Sequence, residues 1–368
     1  MVRAQLVITP WKYLSFSPKP LKTNFFHSTS SQQSETSKCG WKVLFFGTDE
    51  FALESLKRLH QEYRSKRHVN HLEAVTAYEG DENAVTKYAQ DHGIKIHHWP
   101  MEACLDFDIG LVVSFGRLIP SRIIKSFPLG MINVHASLLP RWRGAAPIIH
   151  ALMNGDRTTG VTIMKIAPKK FDVGEIINQK EIQIDDHETQ IQLHKRLASM
   201  GGDLLMETLG KLPDIINSGI AQSPENVTYA PKIQKNISIV KWKEMTARDV
   251  YNLQRALTGI FPLKTTFQGK SVKIFGVKLV KKIPRDCYER ESNPGKIYYD
   301  KNEGSLLVQC KNDSWVTVDE IALAGKPKMS ATDFNNGFFK NRWDRVLFFG
   351  VEQQPNNENK INKRVLKL

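Results

Sequence analysis

An α/β domain on a mostly parallel sheet, followed by a smaller all-β barrel, is the fold class this sequence predicts. Three observations predict it. Apolar strand-like runs alternate with helically spaced runs from residue 41 to residue 209. A stretch rich in Pro, Ser and Asn, residues 212–231, breaks that pattern. Beyond it, short β-prone runs recur with turn signals between them. The length of 368 residues suits two domains.

The elements follow in order. Lys42-Val43-Leu44-Phe45-Phe46-Gly47-Thr48 reads as a buried strand ending in a glycine turn, and Phe51, Leu53, Leu56 and Leu59 keep helical spacing. Residues 71–78 read as a strand, 84–92 as a helix stopped by Gly93, and 94–97 as a short strand. The apolar run 108–114 is a strand, 121–126 a short helix, and 131–135 the next strand. A helix over 145–153, strands over 160–166 and 175–184, and an amphipathic helix over 191–209 follow, the last interrupted by Gly201-Gly202. Past the linker, β-prone runs lie at 265–267, 272–280, 296–299, 305–308 and 315–322. In a mostly parallel sheet of this kind, sites gather at the carboxyl ends of the strands.

Charge divides the chain the same way. Residues 1–34 carry four basic residues and no acid; 35–224 carry 22 basic and 23 acidic residues; 225–368 carry 26 basic and 15 acidic. The net charge of +14 therefore sits mainly on the second domain, which points to a polyanionic partner, nucleic acid first, or to a lysine-rich surface. The N-terminal residues 1–38, basic and rich in Ser and Thr with no compact apolar core, match a mitochondrial transit peptide or a disordered tail. The predicted organisation is an address over 1–38, a catalytic domain over 41–211, a linker over 212–231, a basic β-barrel over 232–345 and a polar basic tail over 346–368.

Several classes are disfavoured. No apolar run approaches the roughly 20 residues that span a bilayer. Cys39, Cys104, Cys287 and Cys310 form no C-x-x-C pair and have no His cluster beside them, so neither a metal nor a disulfide framework is indicated. The Gly47 turn lacks the second and third glycines of a dinucleotide fingerprint.

The most informative stretch begins at Asn133. Asn133 and His135, two apart in a strand, share one face, and a turn with Pro140, Arg141, Arg143 and Gly144 follows. Asp172 lies in a second turn, Phe171-Asp172-Val173-Gly174. An amide, an imidazole and a carboxylate can together hold an oxyanion, move a proton and orient the imidazole. Each alone would be an ordinary turn or core residue.

The run Asn133-x-His135-x-Ser137-Leu138-Leu139-Pro140-x-x-Arg143-Gly144-Ala145-Ala146-Pro147, then Thr159-Gly160-Val161-Thr162-Ile163-Met164, then Asp172-x-Gly174, resembles the folate-dependent formyltransferases. Within that family the likeness is to the branch acting on methionyl-tRNA. It continues through Thr228-Tyr229-Ala230-Pro231-Lys232-Ile233, Ile239-Val240-Lys241-Trp242, Arg255-Ala256 and Pro262 to Gly325-Lys326-Pro327-Lys328-Met329-Ser330.

The resemblance implies a Rossmann-like formyltransferase fold with an OB-like, tRNA-binding barrel behind it. It implies 10-formyltetrahydrofolate as co-substrate without a metal, methionyl-tRNA as acceptor, and a monomer in the mitochondrial matrix. By it, Asn133, His135 and Asp172 are catalytic. Ser137, Leu138, Leu139 and Pro140 contact folate, and Phe115, Gly116 and Leu118 line the pterin pocket. Arg141 and Arg143 face the tRNA acceptor end or stabilise the loop. Where bacterial members carry a long basic insertion, this chain has Tyr78-Glu79-Gly80-Asp81-Glu82-Asn83, and Asp49 stands where many have Pro. A nucleotide sugar, a purine precursor or water as acceptor, and a non-catalytic RNA-binding protein, are the competing readings.

Overall fold

The strand Trp41–Gly47 (β1) has Val43 to Phe46 fully buried, as befits a central strand covered on both faces. It lies in a computed structural model that describes residues 40–77, 82–102, 106–280, 292–338 and 347–350. The expected address over 1–38, most of the acidic loop and the end of the tail fall outside the described residues, as do Cys39, Cys104 and Cys287.

From β1 the chain runs through α1 (Glu50–Ser65), β2 (Val69–Thr76), α2 (Ala84–Asp91), β3 (Lys95–His98), β4 (Ile109–Val113), α3 (Ser121–Ile124) and β5 (Met131–His135). Then come α4 (Pro147–Met153), β6 (Thr158–Lys165), β7 (Ile176–Gln183), α5 (Gln190–Leu209) and α6 (Asp214–Asn217). The seven strands form one sheet in the order β3-β2-β1-β4-β5-β6-β7. Pairings from β3 to β5 are parallel; β5–β6 and β6–β7 are antiparallel. The order reverses between β1 and β4, which opens a crevice at their carboxyl ends, where open α/β sheets bind ligands.

Two helices differ from expectation. Helix α1 runs on to Ser65, because Leu59 and His60 are still buried and Lys66 closes the helix with a left-handed φ of 52°. Helix α5 passes through Gly201-Gly202 without a break. These glycines serve close packing instead. A Cβ on Gly201 would lie 3.0 Å from Val134 Cγ1, and one on Gly202 would lie 2.6 Å from Arg58 Cδ on α1. Thr189 and Gln192 close the start of α5 with a capping box.

The second half begins with α7 (Ala247–Leu257), a helix inside the stretch expected to be all-β. Its signals are the Thr246–Asp249 capping box and the apolar spacing of Val250, Leu253 and Leu257. Next come β8 (Leu263–Phe267), β9 (Lys270–Phe275), β10 (Lys278–Leu279), β11 (Lys296–Asp300), β12 (Ser305–Gln309) and β13 (Trp315–Val318). The series ends with β14 (Glu320–Leu323), β15 (Met329–Ser330), α8 (Ala331–Phe338) and β16 (Leu347–Phe348). They make two antiparallel sheets, β10-β13-β12-β11-β16 and β15-β14-β9-β8. Phe267, Phe334 and Phe349 pack edge and face between them. Cys310 lies in this core as a free thiol, pushed up to about 12 by burial.

The stretch expected to be a linker is docked. Ile220 exchanges two backbone hydrogen bonds with Ile176, at 2.8 and 2.9 Å, and Tyr229 bridges to Arg143. Ala230 is fully buried. None of the helices among the described residues is long and apolar enough to cross a membrane.

Candidate active site

Strand β5 delivers two side chains to the crevice. Met131, Ile132 and Val134 anchor the strand in the core. Asn133 and His135, on the same side, line a cavity of about 750 Å³. The Asn133 amide has no hydrogen-bond partner among the described residues. His135 is nearly buried, and its Nε2 lies 2.9 Å from the Trp142 carbonyl oxygen. A carbonyl can only accept, so Nε2 carries the proton and donates it. That leaves Nδ1 facing Asp172 Oδ1 at 3.7 Å, too far for a hydrogen bond but close enough for a charge pair when the ring carries a second proton.

Two left-handed residues make this geometry. Trp142 has a φ of 62° and Asp172 a φ of 54°. Such conformations cost an L-residue roughly 1–2 kcal/mol and persist where surroundings over-determine them. Around Trp142 they do. Its N–H donates to Thr228 Oγ1 at 2.9 Å and its indole N–H to Asp156 Oδ2 at 2.7 Å. The Arg141 guanidinium, paired to Asp156 through both Nε and Nη2, lies 4.4 Å from the indole centroid. Asp172 Oδ2 accepts from the Gly144 N–H at 2.9 Å.

The other expected residues divide. Phe115, Gly116 and Leu118 line the cavity, Leu118 half-exposed at its rim. Ser137, Leu138, Leu139 and Pro140 are not among the lining residues. They form a tight turn in which the Ser137 hydroxyl donates to Arg141 O, and the Leu139 N–H donates to Thr162 Oγ1. Leu138 borders a separate cleft of about 260 Å³ with Arg141 and Asp156. Arg141 and Arg143 are engaged within the protein, so the loop-stabilising alternative describes their contacts. Arg143 donates from Nε and Nη2 to Gln222 Oε1 at 3.0 and 2.7 Å.

Four contributors were not foreseen. Asp49 caps α1 through Ala52 N and accepts from the Ser114 hydroxyl at 2.6 Å, joining the ends of β1 and β4. Gln222, Thr228 and Asp156 hold the turns that carry Trp142 and Asp172. The Thr-Asp-Glu start of α1 was a readable cap for Asp49; the others depend on contacts 14 to 86 residues apart in sequence. Lys170, Phe171, His194, Lys232 and Ile233 also contribute to the cavity wall.

With this geometry in place, the likeness to known proteins has content. The Formyl transferase family matches residues 101–209, and the Formyl transferase C-terminal domain matches residues 232–339. A human protein named mitochondrial methionyl-tRNA formyltransferase is 39% identical over 305 residues, 81% of this chain and 78% of that protein. A methionyl-tRNA formyltransferase of Staphylococcus epidermidis is 31% identical over 322 residues, covering 83% of this chain and 99% of that protein. Among solved structures, WlaRD, a sugar 3N-formyl transferase crystallised in the presence of dTDP and 5-N-formyl-THF, shares the fold. Its TM-score is 0.58 at 18% identity, over 78% of this chain and 99% of that one. Matched in both halves, and 39% identical to the human protein over most of its length, the chain belongs to the formyl transferase family.

Proposed function

We propose that this chain transfers the formyl group of 10-formyltetrahydrofolate to the α-amino group of methionyl-tRNA in the mitochondrion, giving formylmethionyl-tRNA for initiation. The observation that carries the reading is the unpaired Asn133 amide in one cavity with the facing His135 and Asp172 side chains. The cavity volume and the largely apolar wall of Val112, Phe115, Ile119 and Ile166 suit a pterin ring. When bound, the reduced folate supplies an activated formyl carbon.

The side chains then have distinct work. Asn133 Nδ2–H meets the formyl oxygen as negative charge grows on it. His135, with Nε2–H committed to Trp142, offers only the Nδ1 lone pair to the proton that the attacking amine must lose. Asp172 stabilises the charged imidazole once Nδ1 is protonated. The amine nitrogen gains the bond to the formyl carbon, the donor nitrogen loses it, and His135 carries the proton between them. Asn133, His135 and Asp172 are thus the catalytic set of this proposal. Residues 232–345, with the basic charge of the C-terminal part, supply the acceptor surface; residues 1–38 supply the address, as the mitochondrial naming of the human relative supports.

Radiolabelled formyl donor offered to charged methionyl-tRNA and, separately, to a dTDP-amino sugar tests this directly. Label is expected on the tRNA alone. Label on the sugar and none on the tRNA would overturn the acceptor assignment and favour the chemistry named for WlaRD.

A further inference from the structure

We infer that Gln222, in the stretch that joins the two halves, is a positioning residue that sets the distance between His135 and Asp172. The inference rests on the proposed catalytic role of Asp172. Gln222 stands between the two turns that carry the site. Its Oε1 accepts both Arg143 N–H groups, from the turn that follows His135. Its Nε2 donates to Asp172 O at 3.0 Å and to Gly174 O at 2.8 Å, on the other turn. One amide therefore clamps one turn with its oxygen and the other with its nitrogen. The Gly144 N–H that holds Asp172 Oδ2 is the next residue after the clamped Arg143. A shift of Gln222 moves Gly144 and the Asp172 backbone relative to each other, and with them the 3.7 Å gap between Nδ1 and Oδ1.

The residue type follows from the surroundings. The position needs an acceptor for a guanidinium and two donors for carbonyls, and a primary amide supplies both. A carboxylate would keep the Arg143 pair but turn an oxygen toward two carbonyl oxygens and add negative charge beside Asp172. The docking of this segment does not depend on the Gln222 side chain. Backbone hydrogen bonds from Arg143 N to Thr228 O, from Ala230 N to Arg143 O, and between Ile176 and Ile220 hold it on both sides. Loss of the amide loosens the clamp and leaves the segment seated.

The test is steady-state kinetics with both substrates on Gln222→Leu and Gln222→Glu, each alone and on an Asp172→Asn background. Both single variants are expected to unfold at nearly the parental temperature. Their kcat should fall about 10- to 100-fold, the scale of a misplacement near 1 Å, with KM for both substrates within about twofold. On the Asp172→Asn background either change should cost less than about twofold, because the group being positioned is gone. A parental kcat in both single variants, or an equal loss on both backgrounds, overturns the inference. An Asp172→Asn enzyme of full activity would instead overturn the catalytic role proposed for Asp172, whatever Gln222 does.

Discussion

The tautomer of His135 is decided by a main-chain carbonyl. Trp142 O takes the Nε2 proton because Trp142 is pinned at its backbone N–H, its indole N–H and its ring face. In the proposed chemistry, a pinned carbonyl prevents the imidazole from presenting Nε2 to the amine. The single-turnover rate is expected to fall on the acid side, as the attacking amine takes up a proton and loses its lone pair; a profile flat across the acid side would contradict this. Asn133 makes a different kind of contribution. Its amide is half-buried and holds nothing else in place among the described residues, so Asn133→Ala should leave the thermal midpoint nearly unchanged. Its kcat should drop about 100- to 1,000-fold, as when an oxyanion donor is lost. A kcat within a few-fold of the parent would remove Asn133 from the chemistry.

At the scale of the elements, close packing governs what the helices tolerate. Gly201 puts α5 directly on Val134 of β5, the residue between Asn133 and His135. Gly201→Leu should therefore cost about 1–3 kcal/mol of stability by overpacking, seen in denaturant unfolding. An unchanged midpoint would show that α5 can move off the sheet. The same packing explains what the sequence made legible. Buried runs such as 43–46 and 109–113 declare strands because both faces are apolar, and the Asn133–His135 spacing declares one face of a strand. The Gly201-Gly202 pair reads as a break because glycine weakens an isolated helix; in the fold, contact with Arg58 and Val134 outweighs propensity. Helix α7 was hidden among β-prone runs although its capping box was readable. Gln222, Thr228 and Asp156 could not be read as site residues, since nothing local distinguishes a polar loop residue that clamps from one that is solvated.

For the molecule as a whole, two polar devices stand out away from the cavity. Arg255 on α7 is buried, and burial lowers its pKa. Its guanidinium donates to the carbonyls of Asp185 and Glu188 between β7 and α5, and to Asn252 Oδ1. On β2, Glu73 meets His97, His71 and Lys95; burial opposes its ionisation, but these hydrogen bonds outweigh that and hold its pKa below the ordinary value. A depressed carboxylate pKa adds stability above the unfolded value and loses it as pH falls through the folded one. Glu73→Gln should therefore unfold more easily at neutral pH, by on the order of 1 kcal/mol, and converge with the parent as pH falls through the depressed folded-state pKa of Glu73. A gap that persists at acid pH would assign the effect to packing. The basic C-terminal half makes a further expectation. Methionyl-tRNA affinity should fall steeply between low and physiological salt, and a shallow dependence would argue against phosphate contacts.

The seating of residues 220–230 along the turns that carry Trp142 and Asp172 also limits how the molecule can be divided. A fragment ending at Lys211 would retain the seven strands of the first sheet and every side chain of the trio. It would still lack the backbone neighbours of Arg143, the hydroxyl that receives the Trp142 N–H, and the amide beneath Asp172. The half that carries the proposed trio is therefore not autonomous: what looks like a tether between two modules is the last piece of the first one, and truncation at Lys211 would remove contacts that hold the proposed site together.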